Sequence, residues 1–198
     1  MNGSNRSGVG VGRKTIGTGA MTGAITGAMA VGLVTLAVAL ATPAAAQVTF
    51  GSPGDPARVA LGVGAFDITP SRSHKDAETA GEFRGEYRFP DTFSVVAPFV
   101  GASVTTDGAA YGYFGLGVDI NFGPNWVLTP NAAAGVFERG SGTKLGSWWE
   151  FRTGAELAYR FADLSRLGVA VHHTSNAGLT KVNPGEQSVL LMYSIPIH

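Results

Sequence analysis

Between Gln47 and the C-terminus, apolar and polar residues alternate in segments of about ten residues, separated by Gly, Pro, Asn and Asp. A period of two is the signature of strands with one face toward an apolar phase. Eight such segments occur, over residues 58–69, 80–90, 92–105, 110–122, 125–138, 147–161, 165–174 and 187–197. In the fourth, Phe114, Leu116, Val118, Ile120 and Phe122 share one face, while Tyr113, Gly115, Gly117, Asp119 and Asn121 share the other. The sixth sets Trp149, Phe151, Thr153, Ala155, Leu157, Tyr159 and Phe161 against Trp148, Glu150, Arg152, Gly154, Glu156, Ala158 and Arg160. In the second, Phe83, Tyr87 and Phe89 oppose Glu82, Arg84, Glu86 and Arg88.

Such strands suit either a soluble barrel or sandwich with the apolar face inward, or a membrane barrel with that face toward lipid. Three features favour the membrane. The polar faces mix opposite charges with glycine, as a narrow lumen filled by ion pairs requires. Aromatics gather near strand ends (Phe122, Trp149, Phe151, Tyr159 and Phe161), where interfacial girdles belong. Brief turns at 90–91, 123–125 and 162–164 alternate with longer connections near 70–80, 139–146 and 174–186. The expected fold is therefore all-β: an eight-stranded antiparallel transmembrane β-barrel of the bacterial outer membrane. Its lumen charges (Glu82, Arg84, Glu86, Arg88, Glu150, Arg152, Glu156 and Arg160) are expected to form internal ion pairs.

The first 46 residues change the picture of export. They carry Arg6, Arg13 and Lys14, no acidic residue, an uncharged apolar stretch richest between Ile25 and Ala41, and the small residues Ala44-Ala45-Ala46 before Gln47. That layout predicts a signal peptide over 1–46, cleaved near Gln47, and one domain over 47–198. Removing the three cations leaves 11 Lys and Arg against 14 Asp and Glu, which argues against nucleic acid as a partner. The absence of cysteine excludes disulfide, zinc–cysteine and thiol redox chemistry. Arg72, His74 and Lys75 read as a solvated loop.

The connection after the seventh segment holds the candidate chemistry. From Val171 it reads His172-His173-Thr174-Ser175-Asn176-Ala177-Gly178, then Leu179-Thr180-Lys181-Val182-Asn183-Pro184-Gly185-Glu186-Gln187. Ester hydrolysis needs a nucleophile, a base, a group that orients the base, and a donor for the oxyanion. His173 and Ser175 stand two apart on a strand and point to the same side; His172 points to the other. Glu186, at the start of the next strand, is the candidate orienting acid, and Asn176 and Asn183 are candidate oxyanion or positioning groups. Leu167, Val169 and Val171 share the face of His173 and Ser175, so the pair is expected to look outward, toward lipid. Ser, Asn, Gly and Pro are also ordinary loop residues and His-x-Ser arises by chance. Polar groups beside hydrocarbon, however, are costly unless they serve a function.

The run His173-Thr174-Ser175-Asn176-Ala177-Gly178, followed by Asn183-Pro184-Gly185-Glu186, resembles the active-site stretch of the PagL family of lipid A 3-O-deacylases. The resemblance implies an eight-stranded outer-membrane barrel that hydrolyses the ester-linked 3-hydroxyacyl chain at the 3-position of lipid A within lipopolysaccharide. It implies Ser175 as nucleophile, His173 as base and Glu186 as orienting acid, without cofactor or metal, and it allows a homodimer. Two other functions fit the same barrel: a non-catalytic structural or adhesive protein, and a lipid acyltransferase or phospholipase. A soluble lipocalin-like binder is a third reading.

Overall fold

A computed structural model describes residues 47–69 and 79–197. The expected signal peptide, and Arg72, His74 and Lys75, lie outside the described residues. The described chain forms ten strands: β1 (Val48–Phe50), β2 (Arg58–Phe66), β3 (Ala80–Arg88), β4 (Val96–Thr105), β5 (Ala110–Val118), β6 (Ile120–Phe122), β7 (Trp126–Glu138), β8 (Trp149–Arg160), β9 (Arg166–Ser175) and β10 (Glu186–Pro196).

Eight of them close a ring. In antiparallel pairs, β2 joins β3, β3 joins β4, β4 joins β5, β5 joins β7, β7 joins β8, β8 joins β9, β9 joins β10, and β10 returns to β2. Closure leaves the ring no free edge, so the backbone of the wall pairs with itself without water. The expected barrel is thus observed, with strand limits close to those read from periodicity. Two details differ. The fourth segment is split at Asp119, between β5 and β6, where the neighbour on one side changes from β4 to β1 and the Asp119 carbonyl accepts from the Gly51 N–H at 2.8 Å. Before β4, the chain folds on itself at the Phe93–Val96 bridge, with Ser94 at positive φ, so the strand starts later than expected.

The outer wall is apolar. Leu61, Val63, Phe83, Phe114, Leu116, Val169, Val171 and Leu191 are exposed, the arrangement of a protein solvated by hydrocarbon. At the end where the connections are short, Tyr87 packs on Phe89, and Trp126 and Phe161 flank Tyr159. At the other end Trp148, Trp149 and Phe151 form a second cluster. These are the two girdles expected at the lipid boundaries. Trp148 corrects the parity assigned to it: it precedes β8, is 68% exposed, and does not face the lumen.

Inside, residues alternating with the lipid-facing set form ion pairs. Arg84 binds Glu82 at 2.6 Å, Arg88 binds Glu86 and Glu156 at 2.8 and 2.6 Å, and Arg152 binds Glu86 at 3.0 Å. Glu150 departs from the expected pattern: its carboxylate accepts from the Ser147 N–H at 3.3 Å. Above these pairs, toward the end with long loops, Phe66, Phe99, Tyr111, Tyr113, Phe137 and Leu145 fill the lumen.

The short-turn end is closed by the segment before β2, a feature that periodicity did not signal. Three residues, β1, pair with β6 beyond the end of β4. The chain then turns inward, where the Ser52 hydroxyl donates to Asp119 at 2.7 Å and Asp55 receives Arg166 at 2.9 Å. A lumen cavity of about 30 Å³, lined by Arg58, Glu86, Arg88, Asp119, Glu156 and His172, remains; it has room for about one water.

Candidate active site

Strand β9 runs from a short turn to the loop end with strict alternation: Arg166, Gly168, Ala170, His172 and Thr174 are buried, whereas Leu167, Val169, Val171 and His173 are exposed. Ser175 is half-buried on the outer side. The expected parity therefore holds. His173 and Ser175 lie on the lipid-facing wall, and His172 lies in the lumen, where its Nδ1 meets Arg84 at 2.9 Å. In register, Ser175 is opposite Phe151 and His173 is opposite Thr153 of β8. The two residues thus sit at the level of the loop-end girdle, with the aliphatic stripe of Val171, Val169 and Leu167 running away from them toward the membrane centre.

The loop from 176 to 185 is built around Asn176, which is fully buried. Its amide donates to the carbonyls of Leu145 and Val182 at 2.9 and 2.8 Å, with the Thr180 hydroxyl at 3.0 Å. Its Oδ1 accepts from the Gly178 N–H at 3.0 Å, and its carbonyl accepts from Leu179 at 3.0 Å. Ala177 and Gly178 both have positive φ, the two central residues of a tight mirror-image turn. Asn-Ala-Gly is thus a structural unit: it reverses the chain directly after Ser175 and ties this loop to the β7–β8 connection. Gly146 of that connection lies so close that a Cβ there would overlap the Val182 carbonyl.

Asn176 therefore has its side-chain donors committed to carbonyls and acts as a positioning group. Asn183 is exposed, and its Oδ1 accepts from the Asn176 N–H at 3.0 Å. That contact fixes the carboxamide by its oxygen and leaves its NH2 as the donor.

Glu186 does not join the pair. It is opposite Thr174, and both are buried in the lumen, on the far side of the wall from His173. The residue opposite His173 is Gln187, whose carboxamide meets Nδ1 of the imidazole at 3.2 Å. The parity of the eighth segment, in which 187, 189, 191, 193 and 195 share a face, carries the signal that identifies Gln187. Gly185 completes the surround: its φ is 66°, and a Cβ there would stand 2.6 Å from Cε1 of His173. Beside the loop, a recess of about 420 Å³ is lined in part by Arg139, Lys144, Trp148 and Thr180. Among the described residues no cluster of His, Asp and Glu has the arrangement of a metal site.

The family model for PagL, lipid A 3-O-deacylase, matches residues 97–196. Among solved structures, the chain is similar to the crystal structure of the outer membrane enzyme PagL, with a TM-score of 0.59 and 22% identity over 71% of this chain and 99% of that one. It also aligns with a de novo designed transmembrane β-barrel (TM-score 0.48, 17% identity, 75% of this chain and 100% of that one). A third alignment is with the Yersinia pestis outer membrane protein Ail (TM-score 0.44, 12% identity, 71% of this chain and 99% of that one). Among the curated proteins compared, none matches the chain.

Proposed function

Because the chain belongs to the PagL family, lipid A 3-O-deacylase, we propose that it sits in the bacterial outer membrane and hydrolyses the ester-linked 3-hydroxyacyl chain at the 3-position of lipid A, with Ser175 as nucleophile and His173 as base. The observation that carries this reading is the placement of both side chains on the lipid-facing wall, in register with the loop-end aromatics. At that depth lie the ester bonds of a membrane lipid, below its headgroup and above its acyl chains. A hydroxyl and an imidazole there would be a liability unless they did chemistry.

The reaction follows from the roles. As Ser175 Oγ attacks the ester carbonyl, His173 takes its proton, and the negative charge moves to the former carbonyl oxygen. The NH2 of Asn183 supports the reading as the donor for that oxyanion. Collapse expels the sugar hydroxyl, which receives the proton from His173, and leaves the acyl chain on Ser175. Water, deprotonated by the same imidazole, then releases the hydroxy fatty acid. Val171, Val169 and Leu167 offer the departing chain an apolar track along β9, and the recess lined by Arg139 and Lys144, with Glu138 beside them, supports the reading as the place of the phosphorylated sugar.

Mass spectrometry of lipid A after incubation with the detergent-refolded barrel tests the proposal. The expected product lacks one 3-hydroxyacyl chain. Intact lipid A would favour a non-catalytic structural or adhesive barrel, and an acyl group moved to another lipid, or cut from a phospholipid, would favour the acyltransferase or phospholipase reading.

Gly185→Ala is a finer test of geometry. The substitution forces an L side chain into the left-handed region at a cost of about 1–2 kcal/mol and pushes the imidazole out of place. A displacement of that size is expected to lower kcat by up to about 100-fold, with KM little changed.

A further inference from the structure

The two polar residues that open β10 point to opposite sides of the wall. Glu186 enters the lumen, and Gln187 stays outside with its carboxamide 3.2 Å from Nδ1 of His173. We infer that Gln187, a neutral amide, is the positioning residue that sets the tautomer of His173, in the place where Ser–His hydrolases carry a carboxylate. The inference rests on the reading of His173 as the base.

Three observations support it. The backbone of residue 187 is held on both sides, by pairing with His173 on β9 and by the Ile68 N–H, which donates to the Gln187 carbonyl at 2.9 Å. The side chain is thus delivered to the imidazole by rigid sheet. Among the described residues, no carboxylate shares the outer face around His173: β8 presents Phe151, Thr153 and Ala155, β9 presents Val171 and Ser175, and β10 presents Gln187 and Val189. The connecting loop contributes Lys181 as its one titratable residue. Gly185 packs against the Cε1–Nε2 edge of the ring, and the contact of Nδ1 with Gln187 leaves Nε2 as the ring nitrogen that Gln187 does not engage.

An amide can serve Nδ1 in two senses. With its NH2 toward the ring, it donates to Nδ1, the proton resides on Nε2, and the imidazole has no lone pair for the serine. Turned half a revolution about its last bond, it accepts the Nδ1 proton through Oε1 and frees Nε2 to act as base. A carboxylate permits the second arrangement alone and also stabilises the imidazolium formed as serine attacks. The native enzyme is therefore held to a fraction of the turnover its nucleophile could support, and the fraction is set by residue 187.

The test compares native protein, Gln187→Glu and Gln187→Leu in detergent micelles. Ring-nitrogen NMR of 15N-histidine protein reads the tautomer, with the His173 signals assigned through His173→Gln, and lipid A deacylation is measured in parallel. In a triad, exchanging carboxylate for amide costs about 10⁴-fold in kcat; the reverse exchange at 187 is expected to raise kcat by at least about tenfold, with the Nδ1–H tautomer dominant. Gln187→Leu is expected to shift the tautomer ratio and to lower kcat, and the glutamate variant restores and exceeds what leucine removes. Identical His173 ring signals in all three proteins would overturn the inference. Full activity in Ser175→Ala would instead overturn the nucleophile, and leave the tautomer measurement to decide the role of Gln187 by itself.

Discussion

Ser175→Ala is expected to lower kcat for lipid A deacylation by about 10⁴-fold or more, with the barrel folded and its unfolding midpoint unchanged. Stability should be spared because Ser175 is half-buried on the outer wall, at the last residue of β9. Activity should collapse because a nucleophile and its base act as a unit: removing either member of such a pair costs about as much as removing both. His173→Ala is accordingly expected to match Ser175→Ala, and the double variant to lose no more than either. Mass spectrometry of the product lipid, with folding checked by circular dichroism, reads all three. If Ser175→Ala retained a tenth of native activity, the nucleophile would lie elsewhere, and the outward-facing pair would revert to a surface feature.

The largest effect on stability is expected at Glu86, in the middle of the lumen. Its carboxylate accepts from Arg88 Nε and Nη2 at 2.9 and 2.8 Å, from Arg152 Nη2 at 3.0 Å and from the Tyr113 hydroxyl at 2.8 Å. In Glu86→Ala, Arg88 keeps Glu156 at 2.6 Å. Arg152 keeps only the face of Tyr113, 4.0 Å from its guanidinium carbon, and the ring of Phe99 at 5.6 Å. A buried cation stripped of its carboxylate costs about 3–5 kcal/mol, far more than the cation–π contacts return. Urea unfolding of the barrel in vesicles should show the midpoint falling by that equivalent with an unchanged slope. Glu86→Gln, which keeps the acceptor oxygen, should lose less. A loss below about 1 kcal/mol in the alanine variant would mean that the lumen is wet enough to screen its charges.

Most of the fold was legible because a membrane barrel obeys one rule along its entire wall: side chains alternate between lipid and lumen. Once Phe114, Leu116 and Val118 were read as one face and Tyr113, Gly115 and Gly117 as the other, strand number, closure and the inward ion pairs followed. What the rule does not reach is the irregular chain at the ends. The Ser52–Asp55 plug depends on contacts with Asp119, Arg166 and Arg160, distant in sequence and without periodicity. At the site, alternation placed His173 and Ser175 correctly and His172 opposite them. The choice of Glu186 as their partner followed residue type, a carboxylate being the expected orienting group, against the same parity that puts residue 186 with Thr174 in the lumen. Asn176 shows a further limit. Its carbonyl partners Leu145 and Val182 come from two loops, so its structural role appears only when the loops are packed together.

The closed short-turn end and the charge-filled interior also decide how the protein meets its substrate. In a barrel corked by Ser52 and Asp55 and crossed by paired arginines, the lumen cavity of about 30 Å³ is far too small for an acyl chain, so lipid is not delivered to Ser175 through the middle. Arrival is sideways, by diffusion of lipid within one leaflet until an acyl ester slides past β9. Turnover is then expected to follow the mole fraction of lipid A in the bilayer and to be indifferent to bulk concentration: diluting the vesicles should change nothing, whereas diluting lipid A with an inert phospholipid should slow the enzyme in proportion.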